Sequence, residues 1–158
     1  MRTEIKIGIG DMKVLRQEGI LITYALGSCI GVTLYDPMIK LGGLLHIMLP
    51  QATDQAGASP FKFADTGVRE MVRKMAVFGG SKNRYICKIA GGAQMFKMTG
   101  PIGNIGERNI LSVKKALSDE QIRIQGEDIG KNYARTMLLD VGTGEVKIRT
   151  MGRQEIIL

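Results

Sequence analysis

Cys29-Ile30-Gly31-Val32-Thr33-Leu34-Tyr35, then Asp36-Pro37-Met38-Ile39, then Leu41-Gly42-Gly43-Leu44-Leu45-His46-Ile47-Met48-Leu49 reads as strand, loop and strand, closed by Pro50. The first run alternates as a half-buried strand does, and proline after aspartate is turn chemistry. Two strands joined this closely pair as an antiparallel hairpin. If Asp36 to Ile39 form the loop, Tyr35 faces Lys40 and Cys29 faces His46. Directly opposed residues have Cβ atoms about 4.5–5.5 Å apart, whereas a slip of one residue sends the two side chains to opposite faces. The simplest hairpin therefore makes neighbours of a thiol and an imidazole. They are one of two cysteines and the only histidine in the chain. A lone cysteine is ordinarily packing, and a lone histidine on an apolar strand is ordinarily a satisfied core residue. Their meeting in one register is what points to chemistry, because a cysteine nucleophile needs a base within hydrogen-bond reach.

Upstream, Ile20 to Ala25 forms the strand that leads into a turn at Leu26-Gly27-Ser28. Small residues there leave the thiol reachable, and amide N–H groups around Ser28 and Cys29 are candidates for an oxyanion hole. An ordinary tight turn explains Gly27 and Ser28 equally well. Ile5, Ile7 and Ile9 alternate as an opening strand, with a second short one over Met12 to Leu15.

Downstream, residues 51–60 have the composition of a loop and are expected over the edge of the site. A helix is expected from about Ala64 to Phe78, with Val68, Met71, Val72, Met75 and Phe78 on one face and Gly79-Gly80 as its stop. Cys87, in the alternating run Tyr85 to Ala90, reads as a small buried hydrophobe. Gly91-Gly92 lacks the G-K-[ST] of a phosphate loop. Asn104 with Glu107 makes a capping pair for a second helix, whose Ile110, Val113 and Leu117 share a face. The end is β-rich: Ile122 to Gln125, then Thr136 to Val141 and Val146 to Thr150 around a Gly142-Thr143-Gly144 turn. Two amphipathic helices against eight or more strands, with hairpin connections dominating, give the α+β class, with antiparallel-rich sheets.

The 158 residues are most simply one domain, spanning 1–158, with 44% hydrophobic and 23% charged residues. No window approaches the roughly 18 unbroken apolar residues of a membrane span. The start lacks the apolar block of a signal peptide, so a cytoplasmic protein is expected. Two cysteines and one histidine are too few for a zinc site of four such ligands, so no metal and no cofactor are expected. The net charge of +7 raises nucleic-acid binding, but aromatics are only 5% and no basic run exceeds two residues. A basic surface equally steers an acidic protein partner.

Thr23-Tyr24-Ala25-Leu26-Gly27-Ser28-Cys29, followed by H-I-M-L-P from His46, resembles the CheD family of chemotaxis proteins. F-K-F-A-D from Phe61, K-I-A-G-G-A-Q-M-F from Lys88, N-I-G-E-R-N from Asn104 and E-D-I-G-K-N-Y-A-R from Glu127 follow in family style and order. Two positions depart from the pattern: Gln94 stands where a small serine is common, and Lys131 where a second glycine is common. The resemblance implies a compact α/β/β sandwich with the Cys–His pair in a surface cleft. It implies deamidation of glutamines on the cytoplasmic helices of chemoreceptors, with Cys29 as nucleophile, His46 as base and Thr23 as the third member orienting His46. It also implies a possible partner, the chemotaxis phosphatase CheC. The rival reading is a regulatory module that binds CheC without catalysis.

Overall fold

The computed structural model describes residues 3–53, 57–95 and 104–158. At its centre lie β4 (Ile30–Asp36) and β5 (Leu41–Ile47), an antiparallel pair buried along both full lengths. They are covered because β5 also pairs with β2 (Asp11–Arg16), and β4 with β6 (Ile86–Gly91). β7 (Ile124–Ile129) joins β6 in parallel, giving the sheet order β2-β5-β4-β6-β7. A second sheet runs β1-β3-β8-β9-β10. Its strands are β1 (Glu4–Lys6), β3 (Ile20–Leu26), β8 (Arg135–Asp140), β9 (Val146–Arg149) and β10 (Ile156–Ile157). Six strand pairs are antiparallel and only β1–β3 and β6–β7 are parallel, so the antiparallel-rich expectation holds among the described residues.

Alternation along the central hairpin decides the layering. Ile30, Val32 and Leu34, with Leu41, Leu45 and Ile47, form one core with two helices. From α1 (Ala64–Val77) come Val68, Met71 and Met75, and from α2 (Ile105–Asp119) come Val113 and Leu117. The opposite face carries Cys29, Tyr35 and Leu44, which meet Leu21, Leu26, Met137 and Leu139 of the second sheet. The result is an α/β/β sandwich. A full leucine or methionine buried in either core contributes about 1.5–3 kcal/mol, so this alternation is strongly selected over a one-residue slip.

The hairpin register differs from the sequence expectation. Asp36 pairs with Leu41, so the loop is Pro37–Lys40, and His46 faces Gly31 rather than Cys29. Asp36 stays in the strand because its carboxylate is held by Arg84 and accepts the amide N–H groups of Met38 and Ser81. Lys40 takes a left-handed φ of 47° to close the loop. Moving the loop by one residue changes each partner by two, so parity survives. Cys29 and His46 remain on the inter-sheet face as diagonal neighbours, a relation still within reach of long side chains.

Both helices end as their sequences indicate. Asn104 caps α2, its Oδ1 accepting from Glu107 N at 3.0 Å. Gly79 follows α1 with φ 99°, and Gly80 N donates to Met75 O. Among the described residues no helix is long and apolar enough to cross a membrane.

Candidate active site

β5 carries His46 on the face turned toward the second sheet, and β3 of that sheet carries Thr23 to meet it. Thr23 Oγ1 lies 2.7 Å from His46 Nδ1 and 2.7 Å from the carbonyl oxygen of Ile7. A carbonyl can only accept, so the one hydroxyl proton goes to Ile7. Nδ1 must then be the donor to Thr23, which leaves the lone pair of the neutral imidazole on Nε2. That nitrogen is buried and has no hydrogen-bond partner among the described residues. A buried polar atom without a partner costs about 1–3 kcal/mol, so it is an unusual thing for a core to keep. The ring is thus held in one tautomer, its basic nitrogen free for a proton. His46 is 1% exposed, Thr23 is fully buried, and Cys29 at 9% exposure is the member nearest the solvent.

The turn bearing Cys29 is held from outside. Gly27 O accepts from Ala93 N at 2.8 Å, and Cys29 O accepts from Gly92 N at 2.9 Å. Between them, Ser28 O accepts from Asn109 Nδ2 at 2.8 Å. Three successive carbonyls are therefore engaged, while the amides of Ser28 and Cys29 donate to no other described residue. In a trans peptide the C=O and the next N–H point in opposite directions. Engaging the carbonyls of Gly27 and Ser28 thus turns the following two N–H groups away from the packed side. Gly91 and Gly92 make this strap possible: a Cβ at Gly91 would overlap the Cys29 carbonyl oxygen, and Gly91 has φ 111°. Gly91→Ala is expected to cost at least about 2 kcal/mol from backbone strain and the lost close approach. Chemical denaturation would register it as a lower midpoint, accompanied by loss of Cys29 reactivity.

Burial sets the charges of the pair. It pushes the Cys29 thiol above its usual range, its own backbone amide opposing this only partly. Burial also lowers His46 to about 4. Burial therefore favours the neutral form of both the thiol and the imidazole. Desolvation is the largest influence on both groups, so burial disfavours a thiolate–imidazolium pair.

One consequence is measurable in the whole protein. The unfolded chain protonates its histidine near pH 6.5 and the folded chain only near 4, so the stability His46 allows is complete above pH 6.5 and falls as pH drops toward 4. Between pH 7 and pH 5 the loss is about 2 kcal/mol, or roughly 4–8 °C in melting temperature for a chain of this size. Since His46 is the only histidine, His46→Gln is expected to flatten the melting temperature across that window. An equal slope in the variant would contradict the assignment.

Other features singled out from the sequence find places around this centre without joining the chemistry. Cys87 is fully buried on the helix-facing side of its sheet, its thiol pushed up to about 12 by burial. Gln94 and Lys131, the two departures from the family pattern, meet each other: Gln94 N donates to Lys131 O at 2.9 Å. Lys131 has a left-handed φ of 64°, which is why glycine suits that position. Of the expected loop at 51–60, residues 54–56 lie outside the described residues, as does Phe96 of the 91–96 turn. Ser59 Oγ donates to Gly10 O, and Gly10 N donates to His46 O, so the described end of that loop borders the histidine strand. Asn109 is a residue that sequence reasoning missed. Its one signal is an amide sitting on the apolar stripe of α2.

With this geometry in place, known proteins offer a comparison. The model of the CheD chemotactic sensory transduction family matches residues 48–150. A Desulforamulus reducens protein named probable chemoreceptor glutamine deamidase CheD is 49% identical, covering 94% of this chain and 92% of its own length. Proteins of the same name from Clostridium botulinum and Pyrococcus abyssi are 46% and 43% identical, covering 95% and 99% of this chain and 94% and 98% of their own. On a family match over most of its length and relatives aligned nearly end to end, the chain belongs to the CheD family.

Proposed function

We propose that this chain is a protein-glutamine deamidase acting on chemoreceptors in the cytoplasm, with Cys29 as nucleophile and His46 as general base and acid. The relatives carry that activity in their names. The observation that carries the mechanism is the buried Nε2, without a partner among the described residues, of a histidine whose other nitrogen is committed to Thr23.

In the first half-reaction His46 Nε2 takes the thiol proton as Cys29 Sγ bonds to the glutamine amide carbon. The carbonyl oxygen becomes an oxyanion facing the amides of Ser28 and Cys29, where each well-placed donor is worth about 3–4 kcal/mol. His46 returns the proton to the amide nitrogen as the C–N bond breaks, releasing ammonia and leaving a thioester. In the second half-reaction His46 takes a proton from water as the oxygen bonds to the thioester carbon. The C–S bond then breaks, the thiol regains its proton, and glutamate is left. Thr23 keeps Nδ1 as the donor throughout and accepts a stronger hydrogen bond when the ring is charged. Because burial favours the neutral forms, proton transfer accompanies attack.

Incubating a receptor cytoplasmic fragment with the protein and following ammonia release tests this reading. Release that depends on Cys29 supports it, and no release from any receptor fragment overturns it.

A further inference from the structure

We infer that Asn109 of α2 is a positioning residue for the oxyanion hole, acting through the Ser28–Cys29 peptide; this rests on the proposed Cys29 chemistry. Asn109 is fully buried, and its Nδ2 donates both to Ser28 O at 2.8 Å and to Met48 O at 3.0 Å. Flipping the amide would set its oxygen against two carbonyl oxygens, so its orientation is determined by these contacts. Its Oδ1 is left buried with no partner among the described residues. A side chain kept only to fill space would not leave an acceptor stranded. This one spends both its N–H bonds on the two halves of the site, one residue before Cys29 and two residues after His46.

The Ser28 contact is the informative one. Ser28 O and Cys29 N–H share a single peptide plane and point opposite ways. The neighbouring carbonyls of Gly27 and Cys29 are engaged by backbone amides of Ala93 and Gly92, which a side-chain truncation leaves in place. Only Ser28 O is held by a side chain. Asn109 therefore decides whether the Cys29 N–H faces the place where an oxyanion forms. Ser112, one turn on, donates to Pro50 O at 2.8 Å and ties the same helix to the segment after His46, so α2 is a rigid base for this contact.

The test separates aiming an amide from holding a thiol. Methyl methanethiosulfonate reacts with a thiol by forming an S–S bond and expelling sulfinate, so no carbonyl oxygen needs stabilising. Asn109→Leu is expected to lower kcat for deamidation of a receptor fragment about 10²-fold, the usual loss of one oxyanion donor. KM and the methyl methanethiosulfonate rate at Cys29 are expected to stay within about threefold of wild type. Asn109→Ser, which shortens the side chain below its reach, is expected to show the same split. An unchanged kcat overturns the inference. So does a parallel fall in kcat and thiol reactivity, or failure of both variants to fold, since each makes Asn109 a structural residue only. Cys29→Ala serves as the reference: if it still deamidates, the underlying chemistry has failed rather than the role of Asn109.

Discussion

Cys29→Ala is expected to lower ammonia release from a chemoreceptor fragment by at least about 10³-fold, the scale on which a nucleophile's removal is felt in enzymes that act through a covalent intermediate. Cys87→Ala is expected to leave kcat within about twofold. The two cysteines occupy opposite faces of one sheet. Cys29 precedes β4 on the inter-sheet side, next to Gly31, whose partner is His46. Cys87 pairs with Leu34 on the helix side, fully buried, with a thiol pushed up to about 12. Removing its sulfur leaves a small cavity, a cost of about 1 kcal/mol in stability and nothing in chemistry. Steady-state rates, with melting temperatures recorded on the same samples, check both halves. Equal activity in wild type and Cys29→Ala would remove the proposed nucleophile.

His46→Gln is expected to cost about 10²–10⁴-fold in kcat, the usual range for a positioned acid–base group. The pH dependence of the wild type is the sharper signature. The base must be unprotonated, and burial holds it that way down to about 4. The kcat/KM of the native protein is therefore expected to hold its plateau to about pH 5, well below the 6.5 of an exposed histidine. Alkylation of Cys29 is expected to titrate at or above the ordinary free-thiol value of about 8.5. An acid limb near 6.5 would mean that burial does not depress His46, and a thiol titrating below 7 would mean that a thiolate–imidazolium pair exists at rest.

Much of this is legible in the residues. Apolar alternation over Ile20 to Ala25 and Ile30 to Tyr35 locates the strands, and the Val68-Met71-Val72-Met75 spacing locates α1. The simplest hairpin pairs Cys29 with His46 in the wrong register but on the right face, because the error moves the partner by two. What moves it is Asp36, whose carboxylate is engaged by Arg84 and Ser81 from a distant segment that local turn chemistry cannot register. The strand expected over Ile122 to Gln125 lies instead at Ile124–Ile129, because its pairing comes in parallel from β6. Two-residue β10 is defined only by β9 beside it. Layering comes from the family resemblance, since periodicity marks faces without saying what covers them. The thiol's charge state escapes the sequence for a related reason: an imidazole nearby lowers a thiol only if the site can solvate the ion pair. The geometry around Asn109 depends on three segments far apart in the chain.

The central claim, that this chain converts receptor glutamines to glutamates through Cys29, is tested most directly by peptide mass spectrometry. A receptor cytoplasmic fragment is incubated with wild type and, in parallel, with Cys29→Ala. The mass change of glutamine-to-glutamate conversion is expected at discrete positions with wild type and at none with the variant. Conversion at the same positions by Cys29→Ala, or by neither protein, would contradict it.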